Sequence, residues 1–189
     1  MAAPPIFDAC SLFGPWPQRE DLPLQNLLDA MGQSNIARSV AVATTGIFYD
    51  FRQGNAATFE AARAHPNQLL PAATLDPRSY PDCLTEAENC AAQGVRFARF
   101  FPFSQGWPLK LAPFRELLHK CDTLGMTVAV EVSRAGDATE LADAVAFTNA
   151  PLLLAGVTSQ NLGEALAVLR SSPKFHLETT QLSAPGALE

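Results

Sequence analysis

The sequence predicts an α/β fold: a parallel (β/α) barrel of the TIM type carrying seven of the usual eight strands. Three observations support this. Seven short apolar runs recur at intervals of about 23 to 35 residues, the spacing of βα units. Helical patterns fill the intervals, and strict alternation implies parallel strands joined by right-handed crossovers. Composition does not shift along the 189 residues, so one barrel domain over 1–189 is expected rather than two domains. An eight-fold barrel takes about 250 residues. This chain ends at Glu189, just after the seventh run, so the last βα unit is expected to be missing. Either the chain is a fragment, or the barrel is open, or a second subunit closes it. A doubly wound open sheet is the competing fold, but no Gly-x-Gly-x-x-Gly turn follows the first run to support it.

Strands are expected at 6–11, 39–44 (SVAVAT), 69–75 (LLPAATL), 95–101, 127–132 (TVAVEV), 152–156 (LLLAG) and 175–180 (FHLETT). Each is short, rich in Val, Leu, Ala or Phe, and bounded by Gly, Pro, Asp or Ser. After the first, Leu24, Leu27, Leu28 and Met31 form an apolar stripe at helical spacing, stopped by Gly32. An alanine-rich helix is expected over 55–64, capped by Asn55 and ended by His65-Pro66. Further helices are expected at 81–92 before Gly94, 112–124 before Gly125, 137–148 with Asp137 as cap, and 161–171 with Asn161 as cap.

Composition excludes several function classes. A hydrophobic content of 48% with 17% charged residues is globular, so disorder is not expected. Thirteen basic residues against 19 acidic ones give a net charge of −6 with no basic block, which argues against nucleic acid and anionic membrane as partners. Cys10, Cys83, Cys90 and Cys121 are scattered without a Cys-x-x-Cys pair and read as reduced thiols of a cytoplasmic protein. Cys83 and Cys90, seven apart on one helix, are expected in the core. The start lacks the basic and apolar regions of a secretory signal, and no run is long enough to span a membrane.

In a barrel the site lies at the C-terminal ends of the strands. The stretch 94–109 fits that role, because an apolar strand breaks there into a loop rich in Pro, Gly and aromatics. Period two places Val95, Phe97, Arg99 and Phe101 on one face. An arginine between phenylalanines needs a partner or a watery opening, since a bare buried guanidinium is costly. Arg99 is therefore either half of a structural ion pair, with Glu131 or Glu178, or a clamp for a substrate carboxylate. Glu131, on an otherwise apolar strand, is either a general acid or base or Arg99's counter-ion. Asp8 ends the first strand. The loop 46–55 carries Tyr49, Asp50 and Arg52 on an aromatic frame that suits substrate recognition, a lid, or a capped loop. Trp16, Gln105, Trp107 and Phe103 belong to loops of the same end and could line a pocket or plug the mouth. The histidines read as structural: His65 at a helix end, His119 mid-helix, His176 low in the seventh strand.

Several segments, taken together, resemble one family. They are Ile6-Phe7-Asp8-Ala9 with Gly14-Pro15-Trp16-Pro17; residues 46–55 (GIFYDFRQGN); residues 64–69 (AHPNQL); residues 101–109 (FPFSQGWPL); and Leu177-Glu178-Thr179-Thr180. In this order and spacing they resemble the amidohydrolase-related family, metal-dependent hydrolases and decarboxylases built on a distorted (β/α)8 barrel. The resemblance implies a His-x-His pair where Cys10 and Leu12 stand, and metal-binding histidines where Phe101, Glu131 and Gly156 stand. The strand 8 aspartate falls beyond residue 189. The metal site is thus degenerate by resemblance, and no cofactor is expected. Zinc on Asp8, Cys10 and Glu131 is the alternative, because such a site needs three or four converging ligands. The implied activity is hydrolysis or decarboxylation of a small carboxylated substrate without the usual metal, with Arg99 holding the anion, Glu131 as acid or base, and Asp8 assisting. The other readings are an inactive barrel that binds a ligand or a protein, and the front part of a longer product. An exposed sheet edge would favour homo-oligomers.

Overall fold

A computed structural model describes residues 5–182. Seven strands run parallel, in sequence order, in one sheet: β1 (Ile6–Phe13), β2 (Ile36–Ala43), β3 (Leu69–Thr74), β4 (Phe97–Phe100), β5 (Thr127–Glu131), β6 (Leu152–Ala155) and β7 (Phe175–Leu177). β3 pairs with β2 through Leu69–Pro71 and with β4 through Ala72–Thr74, so successive ladders are staggered along the chain direction. β1 bulges between Asp8 and Ser11, where Ala9 and Cys10 stand against the single residue Val40 of β2. The helices are α1 (Leu24–Gln33), α2 (Thr45–Phe48), α3 (Phe51–Ala64), α4 (Asp82–Ala92), α5 (Pro102–Gln105), α6 (Ala112–Thr123), α7 (Asp137–Ala144) and α8 (Leu162–Ser171). This is the expected incomplete barrel. Its edge strands are β1 and β7, and Ile6 and Phe7 on β1 stand half exposed. The stretch after residue 182, where the chain was expected to stop short of a seventh crossover helix, lies outside the described residues. Among the described residues no helix is long and apolar enough to cross a membrane.

Side-chain alternation sorts the core into layers. Val128 and Val130 of β5, Leu152 and Leu154 of β6, and Ala98 and Phe100 of β4 pack outward against Phe114, Leu117, Leu141 and Ala165 of the helices. Val40, Val42, Ala72 and Phe101 form a thinner inner layer, with Leu70 and Phe97 against it. Val95 belongs to the outer layer rather than sharing a face with Phe97, because β4 starts only at Phe97 and the alternation does not extend back to residue 95. Cys83 and Cys90 are both fully buried on α4.

The segment 46–55 is helical rather than a loop. α2 ends at Phe48, and α3 starts at Phe51 with Asp50 as its cap, the Asp50 carboxylate accepting from Gln53 N at 2.8 Å. Asn55 is therefore not a cap. It is buried inside α3, where its amide bonds both backbone groups of Thr74 (2.8 and 3.1 Å) and the Glu86 carboxylate (2.8 Å). The role of Gly54 is close approach. A Cβ there would lie 2.1 Å from Gly46 N and 2.2 Å from Gly46 Cα, so two glycines set the contact between α2 and α3. Likewise Asp137 is the first residue of α7 and Gly136, at φ +95°, takes the cap position.

Gly54→Ala cannot be absorbed by a side-chain shift, because both clashing atoms are backbone. It is expected to cost about 3 kcal/mol, at the upper end of overpacking effects. Urea denaturation reads this directly, and a change within about 0.5 kcal/mol would contradict the close packing of α2 on α3.

Candidate functional site

The C-terminal ends of the strands surround one cavity of about 520 Å³. Cys10 and Leu12 of β1, Arg99 of β4, Glu131 of β5 and Gly156 after β6 line it, together with Glu178 and Thr180 after β7. Ile47 and Phe48 of α2, Phe101, Ser104, and Trp16 with Arg19 from the β1–α1 connection complete the wall. Trp16 packs on Phe48 with ring centroids 5.3 Å apart, and Arg19 lies over the Trp16 ring. The wall is thus aromatic on one side and carries a guanidinium and two carboxylates on the other.

Arg99 sits at the floor. Its Nη2 donates to Glu178 Oε2 at 2.7 Å, and both side chains are 8% exposed. Glu178 is tied further by Thr180 Oγ1, which donates to its Oε1 at 2.5 Å, and by its own backbone N, which bonds Leu154 O at 2.9 Å. Arg99 Nε and Nη1 are buried and have no hydrogen-bond partner among the described residues. A second cavity of about 60 Å³, lined by Phe7, Val40, Ala72, Phe97 and Ala129, lies on the other side of the same guanidinium. Arg99 therefore divides the lumen. Its counter-ion is Glu178, not Glu131.

Glu131 is engaged elsewhere. Its two oxygens accept from Ser104 N and Ser104 Oγ, each at 2.8 Å. Ser104 lies in the first turn of α5, where the N–H groups lack helical partners, so Glu131 caps this short helix across the cavity. Asp8 bonds its carboxylate to Cys10 N at 2.9 Å. Burial raises the Asp8 pKa above the usual 3.8; the hydrogen bonds from Cys10 and Ser39 oppose this, Glu178 adds to it, and Arg99 lowers it. Asp8 feels this ion pair but does not line the larger cavity. The Cys10 thiol does line it, and burial pushes its pKa up to about 12 despite the nearby Arg99 charge. A neutral thiol is a poor acceptor, so its hydrogen-bond contact with Arg99 satisfies the guanidinium only weakly.

The remaining expected binding residues separate. Trp16 lines the cavity. Trp107 is buried at 3% exposure in the outer core, 4.9 Å from the Phe114 ring, and its Nε1 donates to Gln105 Oε1 at 2.8 Å. Gln105 in turn donates to Ile47 O and so joins α5 to α2. Tyr49 is exposed, and Arg52 pairs with Asp82 at 3.0 Å on the surface. Trp107, Gln105, Tyr49 and Arg52 thus stand outside the cavity lining. Arg19, Phe48, Ser104, Glu178 and Thr180 are among the cavity residues absent from the expected set. Glu178 was legible only as one of two candidate partners for Arg99; for the others the sequence carries no distinctive signal. None of His65, His119 and His176 lines the cavity.

The positions where the resemblance places metal ligands do not fit a metal centre. Phe101 is buried in the inner apolar layer. Gly156 has φ +69°, and a Cβ there would meet Ser133 Oγ at 2.8 Å and Glu131 Cγ at 3.4 Å. Glu131 spends both oxygens on Ser104. Among the described residues no three His, Cys, Asp or Glu side chains converge.

No protein-family model matches the sequence, and no curated protein matches it. Solved structures do. An uncharacterised TIM-barrel protein from Bordetella bronchiseptica superposes with a TM-score of 0.65 at 13% identity, over 82% of this chain and 58% of its own. An amidohydrolase II gives 0.63 at 14% identity, over 90% and 77%. A 5-carboxyvanillate decarboxylase from Novosphingobium aromaticivorans, complexed with manganese and 4-hydroxy-3-methoxy-5-nitrobenzoic acid, gives 0.55 at 14% identity, over 79% and 53%. The chain therefore has the barrel fold of amidohydrolase-related proteins, and it spans little more than half the length of the first and third of these structures.

Asp8 gives a pH signature. Its folded pKa lies above the unfolded value, so the folded chain holds that proton more tightly. The stability this adds is present at low pH and is lost as pH rises from the unfolded value through the folded one. Asp8→Asn is expected to remove that part of the pH dependence of urea unfolding. An unchanged profile would show that Asp8 is not desolvated.

Proposed function

We propose that the chain is the substrate-binding part of a hydrolase or decarboxylase of the amidohydrolase-related type, acting on a small carboxylated substrate without the usual metal. The observation that carries this reading is Arg99: a buried guanidinium lining a 520 Å³ cavity, with two nitrogens that have no acceptor among the described residues. Each buried donor without a partner costs about 1–3 kcal/mol, which a bound carboxylate would relieve. A planar guanidinium also recognises a carboxylate by geometry. Phe101, whose ring centre lies 5.5 Å from Arg99 Cζ, offers an apolar face beside the anion. Phe48 and Trp16 extend that face toward the mouth.

Glu131 is the acid or base of this proposal. In a decarboxylation the bond between the substrate carbon and its carboxyl carbon breaks, CO2 leaves, and the carbon takes a proton from the protonated Glu131 carboxyl. In a hydrolysis Glu131 takes the proton of the attacking water. Either role requires Glu131 to release one hydrogen bond from Ser104. Asp8, held partly desolvated beside the ion pair, assists through its charge. The likeness to a decarboxylase that binds a carboxylated aromatic supports the substrate class at the level of fold.

A second reading is an inactive barrel that binds an anion without turnover. The capping of α5 favours it, because that structural task alone accounts for both Glu131 oxygens. One set of measurements separates the two. Wild type, Arg99→Met and Glu131→Gln are assayed for turnover of benzoate-type acids and for their binding, alongside metal analysis of the purified protein. The enzyme reading predicts loss of binding in Arg99→Met. In Glu131→Gln it predicts retained binding with turnover reduced by about 10²-fold or more. Binding without turnover in wild type would leave the second reading standing, and stoichiometric zinc or manganese would overturn the metal-free reading.

A further inference from the structure

We infer that Glu178 is a positioning residue for anion binding: it anchors the Arg99 guanidinium at the cavity floor while competing with a bound carboxylate for its charge. This rests on the reading of Arg99 as the anion-binding group. The ion pair is asymmetric. Glu178 is fully engaged: Oε2 by Arg99, Oε1 by Thr180, and its backbone N by Leu154 O. Among the described residues Arg99 has a carboxylate partner at Nη2, while its buried Nε and Nη1 have no hydrogen-bond partner. A pair built only for stability would satisfy both partners, because a half-satisfied buried group is costly.

The anchoring follows from topology. Arg99 projects from β4 and Glu178 follows β7, with β5 and β6 between them in the sheet. The 2.7 Å contact therefore holds the guanidinium from the opposite wall of the lumen. The groups next to it do not replace that hold. Cys10 is a neutral thiol, and Asp8 makes no hydrogen bond to the guanidinium. Glu178 thus fixes the plane of the guanidinium, whose Nε and Nη1 are buried and reach a ligand only when the side chain turns toward the cavity. Its charge also opposes a second carboxylate at the same guanidinium, so affinity reflects a balance between order and repulsion.

The two effects are separable with benzoate as probe, titrated calorimetrically into the full chain. Glu178→Gln keeps an oxygen for Arg99 and removes the charge; it is expected to bind benzoate on the order of tenfold tighter than wild type. Glu178→Ala removes both and is expected to bind more weakly than wild type. Thr180→Val, which loosens Glu178 without touching Arg99, is expected to weaken binding as well, and it serves if Glu178→Ala does not fold. A Gln variant no tighter than wild type, an Ala variant as tight as the Gln variant, or an unaffected Thr180→Val would overturn the inference. Arg99→Met in the same series tests the underlying reading. If it binds benzoate like wild type, the anion site is not at Arg99 and both readings fall. If it abolishes binding while the Glu178 and Thr180 variants stay level with wild type, only the role of Glu178 falls. If even Glu178→Gln does not bind benzoate, both fall.

Discussion

The ion pair between Arg99 and Glu178 is the contact on which the arrangement of the site depends. In a flat sheet β4 and β7 would stand three strand spacings apart, about 14 Å. A 2.7 Å contact between side chains at their ends is met because the sheet curls until these strands face each other. The small inner layer permits that curl, with Ala72 and Val40 taking little room around the lumen. Removing one partner of such a buried pair costs about 3–5 kcal/mol, so the pair also ties the last strand to the middle of the sheet.

The same curl gathers the other groups. Residues on or just after β1, β4, β5, β6 and β7 reach one cavity, and the short helices α2 and α5 close its sides. α2 is held by the glycine contact with α3 and by the Gln105 amide. α5 is held by the Glu131 carboxylate. What results is a cavity with an aromatic wall and a guanidinium floor. The strand positions that the family resemblance assigns to metal carry a buried phenylalanine, a left-handed glycine and an already committed glutamate.

The strands were legible because their signal is local: period two and apolar composition place β3, β5 and β6 within a residue or two. The start of α3 was not. Asn55 reads locally as a cap, whereas Gly54 and Asn55 serve contacts with Gly46, Thr74 and Glu86 that no local pattern reveals. The site shows the same division. Arg99 was legible as a charge that must be answered, on a strand leading to a loop. Its partner lies 79 residues away, and two glutamates fitted equally well. Trp107 and Gln105 sit in the loop where binding residues were expected, but the turn of α5 directs them into the outer core and toward Ile47. Tyr49 and Arg52 were drawn outward when their loop proved helical.

In the proposed reading the Arg99 guanidinium is the anion-binding group of this barrel. The most direct measurement is 15N–1H NMR of the arginine Nε–H resonances, assigned by substitution, during titration with benzoate. The account predicts a saturable shift of the Arg99 resonance with little change at Arg52 or Arg78, which are paired on the surface. An Arg99 resonance that stays fixed while benzoate saturates another part of the protein would contradict it.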